Sequence, residues 1–177
     1  MELKDCILTR RSIRKFTDEP VDHETLEEII AQAAYAPSWK NTQISRYYVI
    51  EGREAIDKLA AEYAPFNART VSTATMLIAV AVVKNRCGYE RDGSFTTDRG
   101  DGWQMFDAGI ASQTFCLAAH DMGIGTVILG IFDRPNLEKY LEIPPEQELV
   151  ALIACGHPAE EPKAPRRKTV ADLLTYK

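Results

Sequence analysis

The chain has 177 residues, of which 45% are hydrophobic and 27% charged, a balance that suits a folded globular chain and excludes a disordered one. A formal net charge of −5 argues against a surface that holds nucleic acid by charge alone. The longest strongly apolar run, Met76 to Val83, is far too short to cross a bilayer, and the N-terminus lacks an apolar signal region; one domain, 1–177, is expected in the cytoplasm with neither nucleic-acid nor membrane partner.

Leu3 to Thr9 reads as a short helix that runs into Arg10-Arg-Ser-Ile-Arg-Lys-Phe16. If the chain is extended there, the strand period puts Arg10, Ser12 and Arg14 on one side and Ile13 and Lys15 on the other. Two guanidinium forks about a hydroxyl suit a phosphate monoester or another oxygen-rich anion; a solvated basic turn is the alternative. Glu19-Pro20 breaks the chain, and Asp22 caps a helix from His23 to Ala36 that buries Leu26, Ile29, Ile30, Ala33 and Ala34. Pro37 stops it. Ser38, Asn41 and Gln43 then offer hydroxyl and amide groups from a loop, either to read the edge of a planar heterocycle or as a plain polar connection. Tyr47 to Glu51 reads as a strand, Arg53 to Tyr63 as an amphipathic helix, and Thr75 to Val83 as a strand buried on both faces and so central. Residues 84–101 change character, with Arg86, Arg91, Arg99, Tyr89, Phe95 and several glycines. They read as a mobile excursion over a site or as a poorly ordered loop.

Trp103 to Met122 reads as one helix that is apolar or small on nearly every face, which belongs in a core or an interface. Its small residues suit a helix pair or dimer core, with Ala111 expected at the contact. Gly123 and Gly125 supply a left-handed stop, and Thr126 to Gly130 a short strand. Phe132-Asp-Arg-Pro opens a short helix through Leu141, and Leu149 to Cys155 is a buried strand that ends on Gly156-His157-Pro158. An extended tail from Pro162 to Pro165 carries Arg166-Arg167-Lys168 into a short terminal segment, Val170 to Leu174. The irregular alternation favours an α+β layered fold over a doubly wound sheet. Cys6, Cys87, Cys116 and Cys155 are widely spaced and read as buried free thiols in a reducing compartment. His23, His120 and His157 show no metal-ligand or triad spacing, so no metal is expected, and His120 reads as a helix-surface residue. No GxGxxG, Walker A loop or G-x-S-x-G elbow is present.

Arg10 to Phe16, Ala36 to Gln43, Asn67 with Thr70, Asp107-Ala-Gly-Ile-Ala through Gly125, Val127 to Gly130, Gly156-His-Pro158 and Arg166-Arg-Lys168 follow one another in an order that resembles the FMN-dependent nitroreductase family. The resemblance implies a nitroreductase-like layered α+β fold with a central, mostly antiparallel sheet flanked by helices. It also implies an intertwined homodimer with FMN at each of two sites built from both subunits. Arg10 and Ser12, with Arg166 and Arg167, would hold the phosphate, and Arg11 belongs to the same cofactor-binding set. Arg14 would lie by the N1–C2 carbonyl edge. Pro37, Ser38, Trp39, Asn41 and Gln43 would come from the partner chain, Asn67 and Thr70 would supply polar flavin contacts, and the backbone of Ile128, Leu129 and Gly130 would face N5. No catalytic side chain is implied, because the flavin carries the redox chemistry. The implied activity is transfer of hydride from NADH or NADPH through FMN to nitroaromatic, quinone or related acceptors by a ping-pong route. The alternatives are an FMN carrier or sensor with little turnover, or a specialised reaction such as reductive dehalogenation.

Overall fold

Met76–Val83 (β2) decides the layering. Leu77, Ala79 and Ala81 point to one face, Met76, Ile78, Val80 and Val82 to the other, and all seven are buried. A strand apolar on both sides needs helices above and below it. In the computed structural model, which describes Met1–Lys177, β2 pairs antiparallel with Ser45–Glu51 (β1) and with Gln147–Gly156 (β4). Gly125–Leu129 (β3) pairs antiparallel with β4, giving the order β1-β2-β4-β3. The antiparallel sheet and the central place of β2 are as expected, with β3 at one edge.

One face carries His23–Ala33 (α2) and Gly102–Asp121 (α5), whose Leu26, Ile29, Phe115 and Cys116 pack on Ile78, Val80 and Ile153. The other face carries Arg53–Lys58 (α3), Ala68–Val71 (α4) and Arg134–Tyr140 (α6), which set Ile56, Val71 and Leu137 against Leu77, Ala79 and Leu152. Leu3–Thr9 (α1) leans on α5, with the Cys6 thiol directed at the Leu117 carbonyl at 3.4 Å. All four cysteines are free and buried. No helix is long and apolar enough to cross a membrane.

Several boundaries move for local reasons. Asp22 caps α2 by accepting the Thr25 N–H at 2.7 Å, but the helix ends at Ala33 and not Ala36. Pro37 disfavours helical backbone before it, and the last turn tightens through bonds from Tyr35 N–H to Gln32 and from Ala36 N–H to Ala33. The expected helix from Arg53 to Tyr63 is α-helical only to Lys58 and continues as a π-type turn, Leu59–Tyr63. Helix α5 ends in a Schellman motif: Gly123, at φ +79°, donates to His120, and Ile124 donates to Ala119 at 2.8 Å. Gly125 is not part of that stop. It is the first residue of β3, and a Cβ there would lie 2.9 Å from Ile13 Cγ1, so the position is small to let the N-terminal segment approach.

Ala111 of α5 is 6% exposed and lines the groove between α2 and β1. Met105, Phe106, Gly109 and Gln113 form the open face. Residues 84–101 are an ordered excursion and not a featureless loop: Tyr89 and Phe95 pair across a tight reversal with rings 4.9 Å apart, and Cys87 is fully buried. Beyond Pro162 the chain is exposed, and Val170–Leu173 (α7) is closed by a Thr169–Asp172 capping box.

Candidate functional site at the open edge of the sheet

The basic N-terminal segment lies along the edge of β3. Ser12 bridges Thr126 in parallel, and the Ile13 N–H donates to the Thr126 carbonyl at 3.0 Å. Phe16 bridges Pro158, while Lys15 and Thr17 exchange backbone bonds with Ala159 and His157 at 2.9 Å. Ile13 turns inward and Arg14 outward, as a strand period requires. The alternation fails at Lys15, which stays exposed while Phe16 turns in, because the bridges at Ser12 and Phe16 are four residues apart with no ladder between them.

This placement leaves charge free. The Arg10 guanidinium is half-buried and makes no hydrogen bond or ion pair within the chain. Arg14 is exposed; its N–H donates to Glu160 Oε1 at 2.7 Å, and its guanidinium touches only the Ser12 carbonyl, at 3.4 Å. Arg11 is engaged differently, donating to the Leu8 and Arg10 carbonyls at 2.8 Å and so closing the end of α1. Behind Arg10 and Arg11, a cavity of about 500 Å³ is shared with His120, Thr126 and Glu160. His120 is partly exposed on α5, and its Nε2 lies 2.8 Å from the Thr9 hydroxyl. Burial, and then the charges of Arg10 and Arg11, hold its pKa below the ordinary value.

Further along β3, Ile128 is 45% exposed and Gly130 is open, while Leu129 turns into the core. The Asn67 amide donates to the Ile131 carbonyl at 2.8 Å, which fastens it beside this stretch. Thr70 follows in α4, half-buried. At the strand rise, Ile128 lies about 7 Å beyond Thr126. Two unpaired guanidinium groups, a hydroxyl, an amide and open backbone therefore share one sheet edge. That donor set fits an anionic group at one end and the polar rim of a planar ring at the other.

The loop after α2 is built with strain. Lys40, Asn41 and Gln43 have φ of 45°, 54° and 47°, a region that non-glycine residues rarely adopt. Ser38 Oγ accepts the Gln43 N–H at 3.1 Å, and the Gln43 amide donates to Asn41 Oδ1 at 3.1 Å. The Trp39 ring lies tilted against Trp103 with ring centroids 4.8 Å apart, the Trp39 backbone N–H donates to Asp107 Oδ2 at 2.9 Å, and Lys40 pairs with Glu90 at 3.1 Å. Two buried polar atoms of the loop, Trp39 Nε1 and Thr42 Oγ1, have no hydrogen-bond partner in the chain.

Within one chain these pieces do not meet. Pro37, Ser38 and Gln43 line a groove of about 740 Å³ between α2 and β1, which shares no residue with the cavity beside Arg10. Arg166 and Arg167 sit on the exposed tail, where Arg167 donates only to the Pro165 carbonyl at 3.1 Å. Every hydrogen bond of residues 163–177 stays within that tail. Sequence reasoning passed over Asp107 as a contact of the loop and Glu160 as a contact of Arg14. The available signal for Asp107 was an acid in the middle of a largely apolar helix; Glu160 had none, because its role depends on tertiary packing.

The sequence profile of the nitroreductase family matches residues 7–81 and 61–157. A Methanothermobacter thermautotrophicus protein with the provisional name NADH dehydrogenase/NAD(P)H nitroreductase is 32% identical over 92% of this chain and 80% of its own length. The Bacillus subtilis FMN reductase (NAD(P)H) is 30% identical over 93% of this chain and 70% of its own. A Desulfovibrio desulfuricans protein crystallised in complex with FMN superposes with a TM-score of 0.79 at 32% identity, over 100% of this chain and 97% of that one.

Proposed function

Because this chain belongs to the nitroreductase family, we propose that it is an FMN-dependent NAD(P)H oxidoreductase, acting by a ping-pong route on nitroaromatic, quinone or related acceptors. The observation that carries the reading is the basic segment Arg10–Arg14 laid along the open edge of β3, with Asn67 fastened at the far end. FMN, when bound, supplies the hydride chemistry. The protein's own groups bind and orient. Arg10 and Ser12, joined by Arg166 and Arg167, hold the phosphate through charge-assisted bonds, with Arg11 securing the end of α1 behind them. Arg14 would set a permanent positive charge beside the N1–C2 edge of bound FMN, which would favour the negatively charged reduced form. Asn67 and Thr70 would meet the polar rim, and the backbone of Ile128 to Gly130 would face N5.

Pro37, Ser38, Trp39, Asn41 and Gln43 come from a second copy of the chain. Three features support this: the loop and the basic segment open into different cavities, α5 leaves an apolar face uncovered, and the tail makes no hydrogen bond to the body. An obligate homodimer burying on the order of 2,000 Å² or more is expected. The whole chain, 1–177, serves this site as one domain, and four buried free thiols suit a reducing cytoplasm.

The test is the visible spectrum of the purified protein, chromatography of the released flavin, and anaerobic titration with NADH and with NADPH. Released FMN, bleached while bound by at least one nicotinamide, is the expected result. FAD or no flavin overturns the cofactor. Bound FMN that neither nicotinamide reduces makes the protein a carrier or sensor instead.

A further inference from the structure

Asp107 has no cation beside it. It is 4% exposed on α5, and its Oδ2 accepts two bonds from two other segments: the Trp39 N–H at 2.9 Å and the Cys87 thiol at 3.0 Å. One turn earlier on the same face, Gln104 is 3% exposed, and its Oε1 accepts the Asn85 N–H at 2.8 Å. Asn85 is itself left-handed, at φ 58°. Helix α5 thus grips the start of the 84–101 excursion twice and the 38–43 loop once, and each gripped stretch contains left-handed non-glycine backbone.

Asp107 also lines the groove between α2 and β1, and the two bonds gathered on one of its oxygens tie segments that no apolar side chain at this position could hold. Left-handed non-glycine residues persist only where their surroundings over-determine them. The thiol keeps its proton, because burial, and then the hydrogen bond to Asp107, push its pKa up to about 12; Cys87 stays a donor. We infer that Asp107 is a positioning residue: it holds Trp39 and the strained loop so that Ser38, Asn41 and Gln43 keep the geometry they present to the partner's flavin, and through Cys87 it ties that geometry to the 84–101 excursion. The inference rests on the oxidoreductase reading above. The Lys40–Glu90 pair joins the same two segments at a second place, and the Trp39 ring lies against Trp103 at the start of α5, so a shift of the excursion is felt in the loop.

The experiment compares wild type, Asp107→Ala, Asp107→Asn and Cys87→Ala by FMN titration, flavin absorbance and hydrogen–deuterium exchange. In Asp107→Ala the FMN dissociation constant rises about ten- to a hundredfold, as for loss of a charged hydrogen-bond acceptor. Its flavin spectrum moves toward that of free FMN, and exchange quickens in peptides 37–43 and 84–90 but not in β2 or β4. Asp107→Asn keeps an oxygen for the Trp39 N–H and recovers most of both effects, which a general loss of stability would not do. Should Asp107→Ala fail to fold, Cys87→Ala decides: faster exchange in both peptides with affinity down about two- to tenfold supports the coupling. Wild-type exchange and affinity in Cys87→Ala would overturn it. Wild-type protein that takes up no FMN overturns the oxidoreductase reading and this inference with it. A folded Asp107→Ala that matches a flavin-binding wild type overturns the inference alone.

Discussion

Arg14 shows how little a side chain's charge says until its surroundings are known. It is exposed in the single chain, where water screens a guanidinium strongly; covered by a ligand and a second subunit, the same charge acts at a low dielectric. Arg14→Leu in fully FMN-loaded protein should therefore lower the flavin reduction potential more than it weakens FMN binding, with Arg14→Lys intermediate. Redox titration checks this, and a potential equal to wild type removes Arg14 from the site. His120 gives a second test, of pH. Its folded pKa lies below the ordinary 6.5, through burial first and then Arg10 and Arg11, with Asp121 opposing. As pH falls through 6.5 the unfolded chain takes up the proton first, so His120 removes stability progressively down to its depressed folded pKa and has no effect above that window. His23, raised by its bond to Glu51, acts with the opposite sign. His120→Gln keeps a donor for Thr9 and abolishes the loss. Urea midpoints at about pH 7.5 and 5.5 should converge more in the variant than in wild type, and parallel profiles would exclude His120 as the cause.

At the scale of the element, α5 serves three neighbours at once. Phe115 and Cys116 face the sheet and α2, Gln104 and Asp107 grip the two strained segments, and Met105, Phe106 and Gly109 face outward. Ala111, buried in its own chain, would report on folding as much as on assembly. Gly109 is the better probe. A Cβ added there meets nothing within 4 Å, and replacing a mid-helix glycine stabilises an isolated helix by about 0.5–1 kcal/mol. Gly109→Glu should therefore leave the fold intact yet break the dimer and release FMN, because only a second chain can object to the new charge. Light scattering and circular dichroism check this; a flavin-loaded Gly109→Glu dimer would show that this face is not the interface.

At the scale of the whole molecule, the basic segment and the loop of one chain open into separate cavities, so the proposed site needs two chains. A hybrid dimer tests this directly. One chain carries Arg10→Ala with Arg14→Leu, the other Asn41→Ala with Gln43→Ala, on different affinity tags. If each site draws its basic segment from one chain and its loop from the other, one site is doubly impaired and its twin has only native residues. The hybrid should then hold about one FMN per dimer at wild-type affinity, while both parent homodimers bind weakly. Two equally weakened sites would place loop and basic segment in the same chain.

Short-range order determined much of this protein. The double-faced apolar pattern of Met76–Val83 places it at the centre of the sheet, the Asp22 cap starts α2, and the mostly apolar character of α5 announces a helix that packs on the core. Spacing within Arg10–Arg14 was enough to raise an anion receptor as one reading beside a solvated basic turn, because charge and hydroxyl lie within five consecutive residues. Tertiary structure alone decided that Arg11 closes α1 and that Gly125 yields room to Ile13. It alone set Asp107 between Trp39 and Cys87, and turned Ala111 inward while Gly109 stayed open. The physical reason is sequence distance. Caps, periods and turns are contests among neighbours that one stretch of chain settles by itself. A hydrogen bond spanning 68 residues from Trp39 to Asp107 depends on which faces the sheet and helices have already buried.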